Sequence, residues 1–256
     1  MCGRYVSVQS DAELVDEFDV EEVVGDPPAP SWNVAPTDPV RMIAKRRPHG
    51  RGDDPAPASV VQLRTVRWGL VPAWSRTRGS GGKMINARSE TLTTKFAAAA
   101  GRRRGISPAL GYYEWQKTGT ARVPFFLHDP DNRPLAFASV YEIWRDRARP
   151  DDHPDAWLWT AAIITRPASD ALGHIHERCP VVLPPDLVDD WLDCTHDDPD
   201  RARQLLDQVP PPRLAPRRVG TAVGNVRNNG PELIQAARAT PPSAAATLPR
   251  EDATLF

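Results

Sequence analysis

Short alternating apolar runs dominate the chain, and only a few stretches carry the three- and four-residue spacing of a helix face. Tyr5, Val6 and Val8 read as the start of a strand. Ser10-Asp11-Ala12-Glu13 then has the form of a capping box, and the apolar stripe Leu14, Val15 and Phe18 predicts a short helix behind it. Proline dominates as far as Pro39, and within that stretch Trp32-Asn33-Val34-Ala35-Pro36-Thr37 reads as a compact loop packed by Trp32. Residues 40–44 and 60–68 predict paired strands around a charged, Pro- and Gly-rich excursion at 45–59. Trp68-Gly69-Leu70-Val71-Pro72-Ala73-Trp74 ends the second strand in a turn with two indoles, and 76–82 reads as a flexible loop. Residues 84–91 lead into a helix running through Phe96 and the alanines. Further strands are expected at 111–115, 124–128, 135–143, 156–165 and 181–183, with helices at 186–192 and 199–209. The irregular interleaving favours a single α+β domain over residues 1–238, built on a mostly antiparallel sheet or barrel flanked by short helices. The Pro- and Ala-rich tail at 239–256 is expected to be disordered.

Composition narrows the class without changing that picture. A chain of 256 residues with 40% hydrophobic and 25% charged residues is that of a soluble globular protein. No apolar run approaches the roughly 20 residues that cross a membrane, and the N-terminus, acidic from Asp11 onward, has no signal-peptide core, so a cytoplasmic protein without membrane partners is expected. Cys2, Cys179 and Cys194 are odd in number and lack CxxC spacing, which argues against a disulfide framework or a zinc knuckle. Charge is uneven. Between Arg41 and Arg104 fifteen Lys or Arg face only Asp53, Asp54 and Glu90, a local balance of +12 that leaves −13 for the rest of a chain of net charge −1. That suits a basic face for phosphates, or equally a set of solvated loops whose charges scatter.

The candidate chemistry begins at Cys2. Methionine aminopeptidases remove Met1 ahead of a small side chain, and a mature chain beginning at Cys2 carries an α-amine and a thiol whose ordinary pKa values lie at about 8 and about 8.5. This 1,2-aminothiol condenses with an aldehyde first to an imine and then to a thiazolidine. The ordinary alternative is a second residue on a frayed terminus. Asn86, Glu114 and His176 would complete a site if they converge on Cys2, although alone they read as a turn residue, a salt-bridged carboxylate and a structural histidine. Glu114 stands out because Tyr112, Tyr113 and Trp115 flank it, and desolvation suits a carboxylate to proton transfer. His174-x-His176 with Cys179 has the residue types of a metal site, but alternating histidines on an extended segment point to opposite faces, so neither metal nor cofactor is expected.

Seven blocks carry a resemblance: Met1-Cys2-Gly3-Arg4-Tyr5, Trp-Asn-Val-Ala-Pro-Thr from Trp32, Trp-Gly-Leu-Val-Pro-Ala-Trp from Trp68, Ile-Asn-Ala-Arg-Ser-Glu-Thr from Ile85, Gly-Tyr-Tyr-Glu-Trp from Gly111, Ile-His-Glu-Arg-Cys-Pro-Val-Val-Leu from Ile175 and Val-Gly-Asn-Val-Arg-Asn-Asn-Gly-Pro-Glu-Leu-Ile from Val223. Together they resemble the SOS response-associated peptidase (SRAP) family. The resemblance implies a protein of the DNA-damage response that binds single-stranded DNA and captures abasic sites through the N-terminal cysteine. It implies that Cys2 is the nucleophile, Asn86 orients the N-terminus, Glu114 shuttles protons and His176 assists sugar-ring opening and imine formation. It further places Arg4, Arg88 and Arg178 on phosphates, Trp74 and Pro36 against bases or ribose beside the lesion, and Thr165 near the site, in a protein expected to be a monomer and nucleoid-associated when on DNA. Cys179 departs from the family pattern, and 45–59 and 145–155 look like insertions. Other classes stay open: a thiol peptidase using Cys2, His176 and Glu114, a class II glutamine amidotransferase, or a non-covalent DNA-binding module in which Cys2 is incidental.

Overall fold

The computed structural model describes residues 2–46, 59–168 and 170–237; Met1, most of the excursion at 45–59 and the tail at 239–256 therefore lie outside the described residues. In chain order the elements are β1 (Tyr5–Ser7), α1 (Asp11–Glu17), β2 (Glu22–Val24), β3 (Ser31–Val34), β4 (Pro39–Arg46), β5 (Val60–Trp68), β6 (Asn86–Arg88), α2 (Ala97–Arg102), β7 (Arg104–Ala109), β8 (Gly111–Thr118), β9 (Ala121–His128), β10 (Leu135–Arg145), β11 (Trp157–Pro167), α3 (Asp170–Gly173), β12 (Arg178–Pro180), β13 (Val182–Leu183), α4 (Val188–Leu192), α5 (Pro199–Gln208) and β14 (Ala215–Arg218).

Five strands close on themselves. β11 pairs with β10, β10 with β7, β7 with β4, β4 with β5, and β5 returns to β11. Every pairing in the ring is antiparallel except the closing seam, where Thr160 and Ala161 lie opposite Arg67 and Trp68 in parallel. Closure leaves the ring no free edge along which another chain could pair. A second, fully antiparallel sheet has the order β14-β9-β8-β1-β3 and packs on this barrel. The α+β architecture with a mostly antiparallel core and short helices is the expected one.

Strand alternation sorts the wall residues into two cores. Met42, Val66, Phe137 and Ile163 pack with Cys2, Tyr5 and Tyr112 from the second sheet. Their neighbours Ile43, Ile106, Val140 and Ile164 face the other way, onto Leu92, Phe96, Trp191 and Leu205 beneath the helices. α1 forms as its capping box dictates, with the Ser10 side chain accepting from Glu13 N and the Glu13 carboxylate accepting from Ser10 N at 2.7 Å.

Several local expectations change. Trp32 and Asn33 belong to β3 rather than to a loop, because that strand pairs with β1. The helix expected after 84–91 begins only at Ala97, since Asn86, Ala87 and Arg88 add to β11 in parallel and a 3-10 turn over Ser89–Thr91 intervenes. Residues Arg78–Lys83 form a 3-10 helix instead of a featureless loop. Gly69 anchors it: its φ of +124° is open to glycine, and a Cβ there would lie 2.5 Å from Gly81 O.

Candidate active site

The N-terminal segment is held from both sides. β1 lies between β8 and β3, with Tyr5 opposite Tyr112 and Val34. The Tyr5 ring stands edge-on to Trp68 at 5.0 Å and to Phe137 at 6.2 Å. Cys2 consequently has no exposed surface at all, and Asn86 Nδ2 donates to its carbonyl at 2.8 Å. Asn86 reaches it because β6 runs beside β11 in the register Asn86–Ile163. A frayed terminus is excluded by this packing.

Glu114 projects from β8, is 4% exposed, and its Oε1 lies 4.0 Å from His176 Nδ1. Burial, and then the Glu114 carboxylate, push the Cys2 thiol far above the range of an ordinary thiol. In this arrangement the thiol is favoured as the neutral S–H. His176 Nδ1 accepts from the backbone N–H of Arg178 at 3.0 Å, so a neutral ring carries its proton on Nε2. Cys2, Asn86, Glu114 and His176 thus form two linked pairs, with Cys2 and Glu114 coupled through charge. His174 is exposed, and among the described residues no group of three or more His, Cys, Asp or Glu is placed to hold a metal.

The residues expected on DNA fall into two kinds. Trp74 is 81% exposed and Arg88 is exposed; the loop carrying Trp74 is tethered where Trp144 Nε1 donates to Ser75 O at 2.7 Å. Pro36 is half-buried beside Thr37, whose φ of +81° is strained for a β-branched residue. Thr37 N donating to Trp68 O at 2.8 Å and Trp68 N to Asp38 O at 3.0 Å hold that turn. Arg4 and Arg178, by contrast, are already engaged. Arg4 Nη1 donates to Asn33 Oδ1 at 2.8 Å and to Val223 O at 3.0 Å. Arg178 grips Glu90 with two hydrogen bonds, at 2.8 and 2.9 Å, and donates to Thr165 O at 2.7 Å and Thr165 Oγ1 at 3.3 Å. Thr165 is fully buried. The hydrogen bonds from Arg178 hold the Glu90 carboxyl down at about 2.

Two participants escaped sequence reasoning. Asn33, which fixes Arg4 and donates to Asn225 O and Asn228 O at 3.0 and 2.9 Å, sat in a stretch read as a turn. Glu90 left a faint signal as one of three acids in the basic stretch, but its partner lies 88 residues away. Cys179 is a buried thiol whose Sγ approaches Pro167 O at 3.9 Å.

Known proteins resemble this chain in sequence and in architecture. The chain is 31% identical over 239 residues to the abasic site processing protein YoqW of Bacillus subtilis, covering 92% of this chain and 99% of that one. It is likewise 31% identical over 242 residues to the abasic site processing protein YedK of Escherichia coli, covering 92% and 99% of the two chains. A crystal structure of a protein from Bacteroides thetaiotaomicron superposes with a TM-score of 0.73 at 18% identity, over 92% of this chain and all of that one, which speaks for the fold. The family model described as SOS response associated peptidase (SRAP) matches residues 1–226. With a match of that extent and relatives of that similarity, the chain belongs to the SRAP family.

Proposed function

We propose that this protein processes abasic sites in single-stranded DNA by covalent capture through Cys2. The single observation that carries the proposal is the placement of Cys2: the residue that begins the mature chain is wholly buried, with its carbonyl held by Asn86 and its thiol within the field of Glu114. The relatives' names as abasic site processing proteins support the same reading.

The chemistry follows from the groups present. Removal of Met1 frees the α-amine of Cys2. Ring opening of the abasic deoxyribose, with His176 moving the proton between ring oxygen and hydroxyl, exposes the C1′ aldehyde. The neutral amine adds to that carbon, and loss of one water gives an imine. The Cys2 S–H then adds across the C=N bond: sulfur bonds to carbon, the thiol proton ends on nitrogen, and a thiazolidine closes. Glu114, close enough to disfavour a thiolate, is the group that relays that proton. Asn86 orients the terminus through its bond to the Cys2 carbonyl. Arg88 and Arg4 meet phosphates, Trp74 and Pro36 cover the bases beside the lesion, Thr165 supports the site, and Arg178 has one Nη1–H left over for a phosphate. The protein would act as a monomer in the cytoplasm, at the nucleoid when bound to DNA.

Intact mass spectrometry tests this, on the protein alone and after incubation with a single-stranded oligonucleotide carrying one abasic site. The expected result is a protein lacking Met1 and an adduct lighter by one water than the sum of its parts, absent in Cys2→Ala. A mature N-terminus with no adduct would overturn covalent capture and turn attention to thiol-dependent peptide cleavage.

A further inference from the structure

We infer that Glu90 is a positioning residue for His176: its carboxylate clamps Arg178 so that the Arg178 backbone N–H holds the imidazole as the Nε2–H tautomer. The consequence for chemistry rests on the covalent-capture reading of His176; the clamp itself is independent of it.

His176 lies between α3 and β12, outside both. Its backbone N–H is tied to Leu172 O at 3.2 Å, and its Nδ1, which Glu114 Oε1 approaches at 4.0 Å, accepts from Arg178 N at 3.0 Å. That amide can hold the ring only if the Arg178 main chain is itself fixed. Four of the five N–H groups of the Arg178 side chain are committed, two to Glu90 and two to Thr165. The Arg178 side chain is only 9% exposed and sits where β12 joins β11, with Arg178 opposite Pro167. Glu90 comes from a separate piece of chain, the 3-10 turn after β6. It therefore locks three segments together at the residue whose amide sets the imidazole. A ring that relays protons must present the correct nitrogen to its substrate, and the group bonded to the other nitrogen decides which that is.

Glu90→Gln is the discriminating variant, because it keeps the shape but turns one acceptor oxygen into a donor facing an Arg178 N–H, so the two-point grip becomes a one-point grip. Long-range 1H–15N correlation of the 15N-labelled protein, at a pH where the ring is neutral, reads the tautomer directly. His176 is assigned among the six histidines by the peaks lost in His176→Gln. The wild-type protein is expected to show Nε2–H, and Glu90→Gln a mixture of both tautomers. Capture of the abasic oligonucleotide should slow at least about tenfold, since a misdirected acid/base loses much of its effect, while binding of the unmodified strand is not weakened. Glu90→Asp, which keeps the charge, should recover part of both. An Nδ1–H ring in the wild type, or an unchanged tautomer in Glu90→Gln, would overturn the inference. If Glu90→Gln fails to fold, Thr165→Val removes the Oγ1 contact alone and should shift the tautomer in the same direction by less; no shift would again overturn it. A tautomer that responds as expected in a protein forming no adduct would overturn covalent capture and leave the positioning role standing.

Discussion

The Cys2 thiol is nucleophilic in principle and suppressed in this environment. Desolvation favours the uncharged form, and the Glu114 carboxylate adds to the effect, so the group stays S–H through the pH range where an ordinary thiol ionises. The sign is testable. Because the folded pKa is raised, the alkylation rate of Cys2 by iodoacetamide should climb about tenfold per pH unit through pH 9 without levelling off, where a free cysteine would plateau above about 8.5. Removing the carboxylate charge in Glu114→Gln takes away one of the raising influences, so the variant should alkylate faster at every pH in that range. Peptide mass spectrometry separates Cys2 from Cys179 and Cys194. A plateau near pH 8.5, or no response to Glu114→Gln, would show that the thiol is not governed by burial and Glu114. A suppressed thiolate also suits the proposed sequence of steps, in which the amine acts first and the thiol adds only once an imine carbon lies against it.

At the scale of elements, β1 determines whether that chemistry has a place to occur. Tyr5 fills the space between Trp68 and Phe137, yet its buried hydroxyl has no hydrogen-bond partner among the described residues. Removing an unpaired buried hydroxyl relieves a desolvation penalty, so Tyr5→Phe should leave stability unchanged or raise it by up to about 1 kcal/mol. Tyr5→Ala opens a cavity at the sheet-to-barrel contact and should cost about 3–5 kcal/mol. It should also abolish capture, since Cys2 loses its anchor. Chemical denaturation checks both, and a stability loss in Tyr5→Phe comparable to that in Tyr5→Ala would mean the hydroxyl has a structural partner. The same strand shows what local pattern can reveal. Tyr5, Val6 and Val8 marked β1, and the capping box marked α1, because those signals lie within a few residues of each other. β3 was hidden by the prolines on either side of it, Pro30 and Pro36, and the β5–β11 seam joins residues more than ninety positions apart with nothing in either strand to announce the partner. Within the site, Cys2, Asn86, Glu114 and His176 were visible through side-chain chemistry and the seven blocks. Glu90 stands in the block from Ile85 but suggested no role, because an acid among arginines acquires meaning only when Arg178 is folded onto it.

Over the whole molecule, folding redistributes the basic charge that the sequence concentrates between Arg41 and Arg104. Arg41 is paired with Asp11, Arg102 with Asp197 and Arg103 with Glu142. Arg104 is fully buried and bonded to the carbonyls of Trp191, Ala100, Gly101 and Asp193, and the Arg64 guanidinium lies 3.9 Å from the centre of the Trp159 ring. These cations build the barrel and its helices rather than a surface for DNA. Between Trp74 and β6, however, Arg76, Arg78, Lys83 and Arg88 are all exposed, and they flank the segment whose Asn86 holds Cys2. These four therefore form a basic cluster adjacent to the candidate site. Single-stranded binding loses about 0.7 of a decade in affinity per decade of salt for each neutralised phosphate. Those four cations together with Arg4 and Arg178 predict a log–log slope of about −4, whereas the whole +12 would give about −8. Fluorescence anisotropy with an unmodified single-stranded oligonucleotide between low and moderate salt measures it. The slope should flatten by about 0.7 with Arg88→Gln and stay the same with Arg102→Gln, whose charge is already spent on Asp197. A slope steeper than about −6 would restore the broad basic face, and a flat one would remove electrostatics from the encounter.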